Sequence, residues 1–202
     1  ALLIYAPAKS PWEVRLGQQW LNEGVGRDHV AGLWARYRLD KRTSVTAFGG
    51  ERVARTISLQ ERYHEQGEAF GLHVRTHLTP VDVGVSWYYL QNDNQTLYHA
   101  AGIEANGRPC KTLKLRGRFE LNVAEGSVDR AQILADWKAR HNVTVTGEFR
   151  ALTPRVYEDS FFTLFLTEAT TDYARLGARW NFWRFLYVRG NGMAVLNSTP
   201  DM

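Results

Sequence analysis

The segment HVRTH sets His73 and His77 four residues apart, a spacing at which a helix could offer both imidazoles to one metal ion. On a strand, four residues span roughly 13 Å, too far for a shared ion, and the alternation around them predicts a strand. Glu61 and His64 in ERYHE have the i, i+3 spacing of di-iron bundles, but the motif occurs once and falls in an expected loop. Gly24, Val25 and Gly26 resemble a phosphate-cradling turn only superficially, because no βαβ unit follows them. Ser86, His99 and Asn106 are the residue types of a hydrolase constellation, yet no nucleophile motif surrounds them. No metal and no cofactor are therefore expected.

The chemistry that survives is electrostatic. TLKLRGRFEL puts Leu113, Leu115, Gly117, Phe119 and Leu121 on one parity, and Lys114, Arg116, Arg118 and Glu120 on the other. The same division recurs along the chain. One parity carries Arg15, Arg36, Arg38, Arg75, Lys114, Arg116, Arg118, Arg130, Lys138, Arg150, Arg175, Arg179 and Arg189, against Glu13, Glu104, Glu120, Asp136 and Glu148. Thirteen cations against five anions need a counter-charge: mobile anions, an acidic loop folded among them, or a partner. Arginine also grips carboxylates and phosphates through two parallel hydrogen bonds. The opposite parity reads Leu33, Leu72, Val85, Trp87, Leu115, Phe119, Ile133, Trp137, Val145 and Leu176, without a charge.

Alternation of this kind needs strands, and about a dozen are legible: 1–6, 12–19, 29–39, 44–50, 69–78, 81–90, 97–105, 112–121, 130–139, 143–152, 173–180 and 185–194. Two stretches admit another reading: SVDRAQILADWKARH as a short amphipathic helix, and SFFTLFLTEA as a helix or hairpin. The connections sort by length. Short ones (PAKSP, DKRT, TP, NGRPCK, RHN and the region 181–184) alternate with long ones (QQWLNEGVGRD, 50–68, QNDNQT, NVAEGSVD and 153–172). Such sorting predicts one all-β domain over residues 1–202, an up-and-down antiparallel meander with turns at one end and loops at the other.

Length and composition narrow the setting. No apolar run approaches the ~20 residues of a membrane-spanning helix, but barrel strands alternate and escape that test. Aromatic residues are 12% of the chain, with seven Trp and nine Tyr, which interfacial girdles explain better than an ordinary core. Net charge is +4, but the bases are spread singly, so a nucleic-acid partner is not expected. The single Cys110 forbids an intrachain disulfide, and nothing resembles a secretion signal at the start. Periodicity alone leaves two arrangements open: a soluble sheet with its apolar face inward, or a transmembrane barrel with that face in lipid. Size favours the second, because about a dozen strands closed into one barrel leave an interior too wide for side chains to fill.

VRLGQQWLNEGVGRDHVAGLWARYRLDKRTSVTAFGG resembles bacterial outer-membrane porin-like barrels of the alginate-export type, in which an RLGRQ strand, a Gly-rich loop, a DGL strand start and a strand ending in FGG follow one another. The matching residues are Arg15, Leu16, Gly17 and Gln19, then Gly32 and Leu33, then Phe48, Gly49 and Gly50. Gln18 stands where that pattern usually has Arg, and Ala31 where it often has Asp. VTVTGEFR and YARLGARWNF look like strands of the same families. If the short turns are periplasmic, the first and last strands open on the extracellular side, and an even-stranded barrel of about 14 strands or more, of which this chain is part, is expected.

The expectation is an outer-membrane channel, a porin or exporter whose basic lumen favours anionic small molecules or, as the resemblance implies, acidic polysaccharide. A structural barrel that scaffolds or sheaths a protein partner is the alternative, and an outer-membrane lipid hydrolase using Ser86 and His99 is the third class. An enzyme is not expected.

Overall fold

The computed structural model of the chain describes residues 1–8, 10–53, 67–92, 95–153, 170–183 and 186–198. Twelve strands follow one another: β1 (Leu2–Tyr5), β2 (Trp12–Trp20), β3 (His29–Arg38), β4 (Thr43–Arg52), β5 (Glu68–Leu78), β6 (Val81–Asn92), β7 (Gln95–Cys110), β8 (Leu113–Asn122), β9 (Ser127–Arg140), β10 (Val143–Leu152), β11 (Thr170–Asn181) and β12 (Tyr187–Ser198). Each pairs antiparallel with its neighbours in sequence, giving one twelve-stranded meander. β1 and β12 are hydrogen-bonded on one side only, so the sheet is not closed. SVDRAQILADWKARH is strand β9 and not a helix. Its alternation of Ala131, Ile133, Ala135 and Trp137 matches the outward parity of both neighbouring strands, which decides between the two periods. The ERYHE pair and SFFTLFLTEA lie outside the described residues.

The register carries the two parities across the whole sheet. One row runs Glu13, Arg36, Thr46, His73, Ser86, Gly102, Glu120, Arg130, each residue opposite the next. The neighbouring row on the other face runs Val14, Ala35, Ala47, Leu72, Trp87, Ala101, Leu121. Residues directly opposite in an antiparallel pair share a face, so the alternation seen in each strand becomes a property of the sheet.

The segment from Leu21 to Asp28, between β2 and β3, lies against the charged face, which we call inner. On a flat sheet β3 and β8 would stand about 24 Å apart. Here Arg36 of β3 bonds Glu23 and Glu120 of β8 bonds Arg27, four positions along the same segment. The sheet therefore curls around it. The core sits there: Val25, Trp34 and Tyr88 are each 1% exposed, and Leu90 and Ala100 are fully buried.

Candidate functional site: the inner face and its inserted segment

The inserted segment is a tight turn whose backbone closes on itself. Leu21 N–H donates to the Asp28 carbonyl (2.7 Å), and Glu23 and Gly26 exchange two 3.0 Å bonds. Gly24 sits at φ +60°, and a Cβ there would come within 2.2 Å of the Ser86 side chain. Only glycine meets both conditions. Val25 N–H donates to Ser86 Oγ at 3.0 Å, and the Arg118 guanidinium donates to the Gly24 carbonyl.

Three carboxylate centres tie this turn to the wall. Glu23 accepts from Arg36 (3.0 Å) and faces His73 Nδ1 (3.1 Å), whose Nε2 lies 3.4 Å from Glu104. Burial raises the proton affinity of Glu23, but the His73 hydrogen bond and the Arg36 charge outweigh it, and its carboxyl stays below the ordinary value. Glu120, 1% exposed, accepts from Arg27 (2.8 Å) and Arg118, with Arg130 at 3.9 Å. Asp28 accepts from Arg52 (3.1 Å) and from the Tyr88 hydroxyl (2.8 Å). Gly24→Val, which adds strain at positive φ and a clash with Ser86, is expected to destabilise docking by about 1–3 kcal/mol. The readout is trypsin cleavage after Arg27, which should quicken about tenfold or more for each 1.4 kcal/mol lost; an unchanged rate would mean the turn is not held as described.

The thirteen cations named from the sequence all lie on the inner face, and the five carboxylates among them do too. Many are paired locally: Arg15 with Glu13 (2.6 Å), Arg75 with Asp82 (3.6 Å), Arg116 with Asp136 (3.5 Å) and Arg175 with Glu148 (3.1 Å). The Arg15 and Arg36 guanidiniums also lie over the ring of Trp34, at 4.2 and 4.8 Å from its centroid. Among the described residues, Lys114, Lys138, Arg179 and Arg189 have no carboxylate within 4.0 Å. The ten apolar residues lie on the outer face. Leu33, Leu72, Val85, Trp87, Leu115, Phe119, Ile133, Trp137 and Leu176 are exposed there, and Val145 is half-buried.

Among the candidates for bond-making chemistry, the structure separates Ser86 from His99. Ser86 faces inward to Val25, whereas His99 is on the outer face and accepts from Trp87 Nε1 at 2.8 Å. The sheet stands between them. His73 and His77 also go to different partners, His73 to Glu23 and Glu104 and His77 to Asp82. Sequence reasoning missed Glu23, Arg27, Asp28 and Arg52, whose bonding partners lie far off in the chain; the cue was an Arg-rich parity short of acids beside a loop carrying Glu23 and Asp28.

The glycines of the resemblance have a structural role. Gly32 and Gly50 stand opposite one another, and a Cβ on either would come within 2.5 Å of the other's Cα. Gly17 lies opposite Gly32 in the same row, at the root of the inserted turn.

No family model matches the sequence, and no curated protein matches it.

Proposed function

We propose that this chain forms a transmembrane β-barrel of a bacterial outer membrane and acts as a channel, a porin or exporter, for anionic solutes. The observation that carries the reading is the inversion of the sheet: large apolar side chains are exposed on the outer face, and charges gather on the curled inner face. A sheet in water would cover the first and expose the second. Charges in register with the outer face, Glu51, Glu68, Arg140 and Asp172, fall within three residues of a strand end, where a bilayer has its headgroups.

Aromatic residues sort toward the two ends of that face. Trp12 and Tyr37 pack together near the short turns (4.3 Å between centroids), with Trp137 and Trp180 at the same end. Trp20 stacks on His29 (4.8 Å) near the long loops, whereas the stacked Trp87 and Tyr89 (6.1 Å) lie nearer the middle of β6. On β2, Trp12 and Trp20 flank Val14 and Leu16. Eight residues rise about 27 Å along a strand, or roughly 20 Å when tilted by 40°, comparable to the apolar band of outer-membrane barrels.

The basic inner face supports anion passage, because a low-dielectric wall strengthens the field on a solute beside it. Acidic polysaccharide is the solute class the alginate-export resemblance favours. The test labels Leu115→Cys and Arg116→Cys, in a Cys110→Ser background in liposomes, with a lipid-restricted and a water-soluble probe. Lipid labelling at 115 with aqueous labelling at 116 is expected, followed by anion-selective conductance in planar bilayers. Position 115 shielded from both probes would overturn the reading.

A further inference from the structure

We propose that the inner wall of β9 to β12 holds an oxyanion-binding site, with Arg179 and Arg189 as its paired ligands and Lys138 two strands away in the same row. The site rests on the reading that this face meets water, and it places the solute's contact on one side of the interior. Arg179 and Arg189 are directly opposite in the β11–β12 register. Lys138 belongs to the same cross-strand row, through Thr144. Like charges set opposite one another destabilise a sheet unless something offsets them. Several other arginines of this face have a carboxylate: Arg36 has Glu23, Arg118 has Glu120, Arg175 has Glu148. This row has none.

What surrounds the two arginines suits an anion better than a cation. Arg179 Nε donates to Asn181 Oδ1 at 3.0 Å, and Arg189 Nε donates to Asn191 Oδ1 at 3.2 Å. Each bond uses one of the five guanidinium donors and steadies the plane, leaving the terminal pair for a second ligand. The Arg179 guanidinium also lies over the Tyr187 ring, 4.4 Å from its centroid. A recess of about 250 Å³ opens here, lined by Thr144, Thr146, Arg175, Arg179, Arg189 and Asn191. It has room for a carboxylate or phosphate group with several waters, each taking ~30 Å³. The inserted segment occupies the other half of the face, against β3 and β5 to β8, where acids and bases are already matched.

The test is protection of arginines from phenylglyoxal, read residue by residue by mass spectrometry on the full chain in detergent. Inorganic phosphate and citrate form two arms, with sodium chloride at equal ionic strength as the reference. At a ligand concentration of about twice Kd, modification of Arg179 and Arg189 should slow about threefold, while Arg108, exposed near the end of β7, is unchanged. Protection in the phosphate arm alone, the citrate arm alone or both supports the site and names its ligand class. Arg189→Gln should abolish protection at Arg179, and Arg189→Lys should retain part of it. No protection in either arm, or equal slowing at Arg108, overturns the proposal. Protection in a chain that gives no conductance would keep the site and sink the channel; anion-selective conductance without protection would do the reverse.

Discussion

Ile133→Arg should cost about 2–4 kcal/mol of stability when the full chain is folded in phospholipid vesicles. Ile133 is 60% exposed at the middle of β9, in a row with Gly117 and Phe149. If that exposure were to water, the substitution would fall within about ±0.5 kcal/mol, as surface changes do. The two environments thus predict results separated by more than the error of a denaturant titration. Leu134→Arg is the internal comparison. Leu134 is one residue along, on the inner face, between Glu148 and Arg116 in the register, and an arginine there, with one unlike and one like charge beside it, should change stability by about 1 kcal/mol or less. Equal, small effects at 133 and 134 would remove lipid from the account of the outer face.

The second large effect is expected at Glu120. Its carboxylate is buried among Arg27, Arg118 and Arg130, and Glu120→Ala would leave those guanidiniums without their shared counter-charge. Truncating one partner of a buried ionic group typically costs about 3–5 kcal/mol. Arg27→Ala should cost less, because Glu120 keeps two cations, and Arg75→Ala less again: Arg75 is 54% exposed and its Asp82 contact is 3.6 Å, so solvent screens the pair to about 1 kcal/mol or below. Urea unfolding of the three variants checks the order. A Glu120→Ala protein as stable as the parent would mean that the curl does not depend on this centre.

The strands were legible because apolar and charged residues alternate along them. Val143–Leu152 and the start of β2 at Trp12 coincide with the expected bounds, and the thirteen cations fall on one face because a period of two cannot be mistaken over ten residues. Strand ends were less legible: β7 runs to Cys110, five residues past the expected Ala105, because its pairing partner β8 continues to supply hydrogen bonds. The site was only half legible. LNEGVGRD has the charges and glycines of a solvated loop, and its burial follows from Ser86, Glu120 and Arg118, to which no local pattern points. The missing acids of the basic parity were the trace it left: Glu23 and Asp28 supply part of what β2 to β8 lack.

That insertion also bears on the order of events in folding. Every strand pairs with its neighbours in sequence, so the sheet can grow hairpin by hairpin from local contacts. The bonds of the inserted turn are of another kind, joining residues 61 apart at Ser86, 93 at Glu120 and 94 at Arg118. They cannot form until β8 is in place, although the turn itself precedes β3. Docking is therefore a late step, and variants that weaken it should speed unfolding while leaving the rate of sheet formation nearly unchanged.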